Sequence, residues 1–533
     1  MKKRKRIIST TLAICASSLL LSNSCLADKS VFDETVVERK NFEPAIPRPE
    51  QEKLAAKKLA DLQSKTGRKP NILIFLVDDM GWGDPGAFGG GVAIGAPTPH
   101  INNLASQGLK LTSMYSQPTC TPSRAALTTG RLPVRSGLVR PILTGDKVSK
   151  NPWKIEQSSG KMLSAAGYRT ALIGKWHVGE AEGMLPHEVG FDYFYGLPSV
   201  QSDYTQFLVS RQYSDMINNP ALHKMAFTLR PEGLIEGNKG GPRKVAYPIN
   251  SIDEIRMVDQ VLRDQSVKFI KEAAKDSKPF YLIHSFSKLH NDSYVAPQYI
   301  GKSPAAMPIR DALVELDDIV GEIMKTLEDT GQLDNTIVFF TSDNGGNEDV
   351  WPDTSYHPWR GGKGTTWEGG VRVPGIVYWK GMIEPGQASN ELVDLMDLYM
   401  TSLRMAGVLD DLPDNLYFDG IDQTAFFLAP NGHSRRQVVY MWNRSDFCAL
   451  RWRDYKVHFK IFDIKAPRRN IDAALVSDIG TAPWVFNLNV DPKEMSSTGH
   501  QFFEWGLPQA LRFSMQHQAT MKEYPNTDIG LGI

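Results

Sequence analysis

The run Asn71-Ile-Leu-Ile-Phe-Leu-Val77 is apolar without interruption after its first residue and then breaks into Asp78-Asp79. A strand that is apolar at both alternating sets of positions has no solvent face, so it belongs in the centre of a sheet covered on both sides. Four further segments read the same way or lead into such a strand. Tyr168 to Ile173 opens into Gly174-Lys175-Trp176-His177, and Phe280 to Phe286 follows a helical pattern over residues 252 to 275 and precedes His290. A helix from Arg310 to Leu327 leads to a strand Thr336 to Thr341, which ends in Asp343-Asn344. Residues 98 to 111 read as a short helix closed by Gly108 and a strand running toward Cys120.

Helix alternating with buried strand predicts an α/β fold with a large mixed, mostly parallel sheet sandwiched by helices. In such sheets ligands gather beyond the carboxyl ends of the strands, where these polar residues stand. Residues 199 to 250 carry Gly and Pro without a clear period and read as a variable insertion. Beyond about residue 430 the pattern changes to short strands, Val438 to Trp442, Ala449 to Trp452 and Lys456 to Lys460, then a helix from Pro508 to Glu523. The expected organisation is therefore a catalytic domain over 70–429 and a smaller C-terminal α+β subdomain on an antiparallel sheet over 430–533. Ahead of both, residues 28 to 69 read as an arm that wraps the domain or stays mobile, or as a plain linker, with a helical segment from Glu50 to Gln63.

The chain opens Met-Lys-Lys-Arg-Lys-Arg, followed by an apolar run from Ile7 to Leu21 and a small-residue site ending at Ala27. That is the pattern of a secretory signal peptide over 1–27, too short for a membrane anchor, and predicts a periplasmic or secreted protein. A lipid-modified Cys25 is the alternative. Removing this leader takes away five cationic residues and no acidic one, leaving 55 Lys+Arg against 60 Asp+Glu, a net charge of −5. General nucleic-acid binding is not expected of such a chain. Cleavage also removes Cys15 and Cys25. Cys120 and Cys448 remain, too few for a disulfide scaffold though enough for one bridge.

Around Cys120 the sequence reads Cys-Thr-Pro-Ser-Arg-Ala-Ala-Leu-Thr-Thr-Gly-Arg131. With Thr121 as N-cap and Pro122 in the first turn, a helix is expected to start just after the cysteine. Its free N–H groups and dipole, together with Arg124, make an anion site around the thiol. Asp78, Asp79, Asp343 and Asn344 offer oxygen alone, which suits Ca²⁺ or Mg²⁺. Lys175 and His177 alternate with Trp176 and point the same way if strand geometry persists. A fixed cation and a proton carrier beside an anion site suit leaving-group chemistry on a sulfate or phosphate ester. The glycine-rich stretch Arg360 to Pro374 brings backbone close to a ligand, with Lys363 in reach, and lacks the spacing of a nucleotide-binding loop.

These motifs resemble the formylglycine-dependent type I sulfatases, arylsulfatase-like members of the alkaline-phosphatase-like superfamily. Cys120-Thr-Pro-Ser-Arg124 through Thr129-Gly130 resembles the family's modification motif, and Gly167 through Lys175-Trp-His177 its second signature. The Asp78-Asp79, Asp343-Asn344-Gly345 and Gly362-Lys363-Gly364 matches follow in the family's order. The likeness covers roughly residues 70 to 380.

The resemblance implies that a formylglycine-generating maturase converts Cys120 to formylglycine, which is hydrated to a geminal diol. Asp78, Asp79, Asp343 and Asn344, with residue 120, would hold Ca²⁺. One diol oxygen would attack sulfur, with Asp343 a candidate to take its proton. His290 and Lys363 would assist the leaving alcohol, Arg124 and Lys175 would steady diol and sulfate, and His177 would deprotonate the second hydroxyl to expel sulfate. One departure stands out: the family has Pro-His where this chain has Leu289-His290, and His284 lies nearby.

The expected activity is release of sulfate from an aryl sulfate or a sulfated carbohydrate. A phosphoesterase or phosphonate hydrolase of the same superfamily and a non-catalytic binder of sulfated glycans are the rival readings. In the insertion, the basic stretch Gly237 to Lys244 is a candidate grip for a sulfated polysaccharide. Trp351, Trp359 and Tyr204 are candidates to stack on sugar rings. Oligomeric state is not legible.

Overall fold

The computed structural model describes residues 35–143, 146, 148–205, 232–462, 476–479, 482–498 and 506–530. The leader, the first residues of the arm and much of the 199–250 insertion lie outside the described residues.

The main sheet contains β1 Asn71–Val77, β2 Leu109–Tyr115, β3 Arg169–Gly174, β4 Tyr193–Gly196, β5 Gly233–Asn238 and β6 Lys244–Pro248. It continues with β7 Phe280–Ser285, β8 Thr336–Ser342, β9 Arg372–Tyr378, β10 Gln387–Ser389 and β11 Val393–Asp394. The order is β10-β2-β9-β8-β1-β7-β3-β4-β5-β6, with β11 also on β2. Strands β8, β1, β7, β3 and β4 run parallel, as expected. The described part of the insertion is more ordered than its composition suggested, because β5 and β6 extend the sheet as an antiparallel hairpin.

β1 divides its side chains as its composition requires. Ile72, Ile74 and Leu76 enter one core with Ala125 and Leu127, Leu398 and Tyr399, and Ala55 of the arm helix Pro49–Thr66. Leu73, Phe75 and Val77 enter the other, against Leu262 of helix Ile252–Ala273 and Leu316 of helix Pro308–Asp329. The described part of the arm makes contacts with later segments: Phe42 meets Phe418 edge-on at 5.9 Å, and Ile46 N donates to Arg435 O at 2.8 Å.

Sequence reading missed β9. Pro374-Gly375 reads as a break, yet β9 lies between β2 and β8. The pairing of β2 with β9 shifts register between Leu111 and Met114, around Pro374, so a residue without an N–H is accommodated at a bulge.

The C-terminal unit is an antiparallel sheet of β12 Val438–Asn443, β13 Asp446–Trp452, β14 Tyr455–His458 and β17 Trp484–Asn487. A small pair, β15 Lys460–Phe462 and β16 Val476–Asp478, stands beside it, so the strand expected over Lys456 to Lys460 is split. One face packs Leu450 and Trp452 with Phe513 of helix Leu507–Glu523 and with Ala126. The other packs Val439, Met441 and Ala449 on Tyr115 and Val371. Cys120 and Cys448 are both free and buried, so no bridge joins them.

Candidate active site

The helix around the cysteine is Cys120–Thr129, two residues earlier than expected, with Thr119 rather than Thr121 at its N-cap. Thr121 instead donates its hydroxyl to His177 O at 2.6 Å. Cys120 thus occupies the first turn itself, at the positive end of the helix. Its Sγ lies 3.5 Å from Asp78 Oδ1 and 3.9 Å from Asp79 Oδ1. Burial, Asp343 and Asp78 push the thiol pKa well up, against Lys175 and Lys363. An unconverted Cys120 is therefore a protonated thiol and a poor nucleophile.

The ends of β1 and β8 bring the carboxylates together. Asp79 has φ 57°, which turns the chain back so that its N–H donates to Asp343 Oδ1 at 3.2 Å. Donor atoms of Asp78, Asp79, Asp343 and Cys120 all lie within 4.8 Å of one another. Three basic side chains face these three carboxylates. Lys175 Nζ is 2.7 Å from Asp78 Oδ2, and Lys363 Nζ is 2.8 Å from Asp79 Oδ1. Arg124 donates from Nε to Asp343 Oδ2 at 2.9 Å and from a terminal nitrogen to Lys175 O at 2.8 Å and Ser285 Oγ at 2.7 Å. Burial opposes charge on both Asp78 and Asp79, yet Lys175 beside the first and Lys363 beside the second hold them below the usual carboxylate range.

Asn344 supplies the most telling atom. Its Nδ2 donates to Asp79 Oδ1 at 2.7 Å and Gly345 O at 2.9 Å, while its buried Oδ1 has no hydrogen-bond partner. A buried amide oxygen without a donor, on an amide whose nitrogen meets the carboxylate of Asp79, is unfavourable until a cation takes it up. The site fits a hard divalent ion.

Two other acidic groupings among the described residues are engaged differently. Asp419 is held at both oxygens by Arg135, and Asp317 caps helix Pro99–Ser106 through His100 N at 3.0 Å and Ile101 N at 2.8 Å.

β3 ends at Gly174, so the alternation expected of Lys175 and His177 does not persist. The backbone turns at Gly174 (φ 123°) and His177 (φ 55°), and the two side chains go to different partners. His177 Nε2 lies 3.0 Å from Ile142 O, which makes it the protonated nitrogen and leaves the buried Nδ1 as a free acceptor. Burial and the cations Lys175, Arg124 and Lys363 push its pKa well down, so the ring is neutral.

The two histidines near β7 separate cleanly. His290 Nε2 approaches Asp79 Oδ2 at 3.8 Å, whereas His284 Nδ1 bonds Ser266 Oγ at 2.7 Å within the helix layer. The His290 loop is held by Lys288, whose Nζ sits 3.2 Å from Asp259 and 3.1 Å from Glu315. Ser285 carried no signal in sequence, being one more small residue at a strand end.

Of the residues singled out for sugar binding, Tyr204 is fully buried and Trp359 packs against Trp82 at 5.1 Å. Trp351 is 79% exposed, on the loop between Asn344 and Lys363. In the basic stretch, Lys244 pairs with Glu236 at 2.8 Å and Lys239 donates to Ser164 Oγ at 2.8 Å.

The family model described as Sulfatase matches residues 70–408. This chain belongs to the sulfatase family. The sulfatase is 31% identical to the N-acetylgalactosamine-6-sulfatase of Rattus norvegicus, over 85% of this chain and 86% of that one. It is 33% identical to arylsulfatase A of Bos taurus, over 80% of this chain and 82% of that one. A crystal structure of the PsFucS1 sulfatase from Pseudoalteromonas sp. superposes with a TM-score of 0.92 at 73% identity, covering 94% of this chain and 100% of that one. The sulfatase is accordingly a sulfuric ester hydrolase on an alkaline-phosphatase-like fold, and its buried Asp78, Asp79, Cys120 and Asp343 fit the Cys-derived formylglycine and metal that the family uses.

Proposed function

We propose that this sulfatase cleaves sulfate esters of carbohydrates, with Cys120 converted to formylglycine and Ca²⁺ held by Asp78, Asp79, Asp343, Asn344 and residue 120. The observation that carries the reading is the packing of donor atoms of Asp78, Asp79, Asp343 and Cys120 within 4.8 Å of one another, with the unpartnered Oδ1 of Asn344 on an amide bonded to Asp79. When bound, the ion polarises sulfate oxygens and adds positive charge to a site whose own charges cancel. Hydrated formylglycine at residue 120 would supply the attacking oxygen, with Asp343 the group to take its proton as the sulfur–oxygen bond to the leaving alcohol breaks.

Arg124 and Lys175 hold Asp343 and Asp78 in place and orient the anion. Lys363, whose Nζ lies 2.8 Å from Asp79, is the group to give a proton to the departing alcohol, and His290 orients that oxygen. His177 accepts a proton at Nδ1 because its Nε2–H is committed to Ile142 O. The carbohydrate class is supported by the similarity to PsFucS1, whose Fuc points to fucose sulfates as the first sugars to assay. The leader pattern supports export to the periplasm or beyond, where a maturase must act on Cys120 on the way.

The experiment is sulfate release from a panel of sulfated fucose, galactose and N-acetylgalactosamine, each beside its phosphate analogue. Sulfated sugars should turn over and phosphates should not; preference for phosphates would favour a phosphoesterase. Cys120→Ala should abolish release with an unchanged melting temperature, and the tryptic peptide from Leu111 to Arg124 of active enzyme should resist alkylation. Sulfated sugars bound without release by maturase-treated protein would identify a glycan binder instead.

A further inference from the structure

Lys363 stands on the stretch 360–367, outside any helix or strand, and residues on both sides of it are tied to the C-terminal subdomain. Asn443, at the end of β12, donates its Nδ2 to Gly364 O at 3.0 Å, and Gly364 N donates to Pro118 O at 2.7 Å. Glu494, which follows β17, accepts Glu368 N on Oε2 at 2.7 Å, and its backbone carbonyl accepts from Arg360 at 2.6 Å. Arg360 lies over the Trp367 ring at 3.8 Å, and that ring rests against His458 at 4.4 Å.

Beneath this contact lies a buried charge network. Lys456 Nζ is 3.0 Å from Glu368 Oε1 and 3.2 Å from Glu494 Oε1, and His458 Nε2 is 2.7 Å from Glu494 Oε1. All four side chains are fully buried. Burial opposes ionisation of Glu368, but Lys456, Arg372 and Arg451 bring its pKa down to about 2. Apolar groups would dock two layers at lower desolvation cost than four buried ionisable groups do. What directional bonds add is register: they fix residues 360, 364 and 368 against the C-terminal sheet, on either side of the lysine.

We propose that the C-terminal subdomain positions Lys363, with Asn443 and Glu494 as positioning residues for proton delivery to the leaving group. This rests on the reading of Lys363 as the leaving-group acid. Loosening the clamp lets the Nζ drift from its place beside Asp79, which slows esters of weakly acidic alcohols more than those of activated phenols.

The test compares wild type, K363A, N443A, E494Q and K363A/N443A on aryl sulfates of graded phenol acidity. K363A should steepen the fall of kcat/KM with phenol pKa; an unchanged slope means that the reading of Lys363 fails, whatever the clamp does. Given a steeper slope, N443A and E494Q should also steepen it, slowing the poorest leaving group about tenfold and a nitrophenyl ester less than about threefold. In the K363A background N443A should add nothing. Equal losses across the series, or losses that multiply with K363A, overturn the proposal. Amide exchange needs no substrate and stands even if E494Q does not fold: N443A should speed exchange over 360–371 and leave 336–342 unchanged, and an unaltered rate over 360–371 likewise overturns it.

Discussion

His284 and His290 lie six positions apart and have opposite fates. A lone histidine near a strand end reads equally well as core or site, and what separates them is that His284 lies within β7 while His290 stands on the loop beyond it. His284 sits within the strand, packs its ring against Phe286 at 4.5 Å and has its pKa pushed down to about 4 by burial. Because the folded value is depressed, its contribution to stability is present above the unfolded pKa of about 6.5 and is lost as pH falls toward 4. His284→Gln keeps a hydrogen-bonding side chain without a titration. Wild type should lose about 3 kcal/mol relative to this variant between pH 7 and 4, measured by urea unfolding at each pH. A constant difference would mean that His284 is not neutral in the fold. Residue type made Asp78, Asp79, Asp343 and Asn344 recognisable as hard-ion donors, but nothing in the order of amino acids showed that Asn344 Oδ1 would be left without a donor.

Strands fare better than single side chains at this level. β1 and β8 carry their composition plainly, and Asp78, Asp79, Asp343 and Asn344 fall where a parallel sheet puts its ligands. β3 is where local reasoning stopped short. Gly174 ends it with φ 123°, and a Cβ there would collide with the backbone carbonyl of Ser285 on β7. The same turn sends Lys175 to Asp78 and His177 to Ile142. Gly174→Ala should therefore push the end of β3 away from β7 and lower activity by at least tenfold with a lower melting temperature. Retention of both full activity and melting temperature would show that β3 tolerates the shift. β9 was illegible because a proline in a central strand argues against that strand, and only its partner's irregular register makes room for it.

Across the whole molecule, segments far apart in sequence share one core. The arm lies against 410–437, the C-terminal sheet shares apolar contacts with the Cys120 helix, and the clamp at Glu494 reaches the Lys363 loop. Phe42→Ala removes an arm aromatic distant in sequence from every site residue. It should cost about 3 kcal/mol in chemical denaturation and leave kcat at 25 °C nearly unchanged. An equal loss of kcat would mean that the arm shapes the site. By itself the sequence determined the parallel centre of the sheet, the cysteine at a helix start and the oxygen-rich set at strand ends, because periodicity and residue chemistry are local properties. Only the tertiary structure decided which histidine reaches Asp79, where the proton on His177 resides, and that the C-terminal sheet grips the lysine loop. Those outcomes depend on contacts between residues well separated along the chain, from 35 positions for Ile142 and His177 to 211 for Asp79 and His290, and no local pattern encodes a distance between groups so separated.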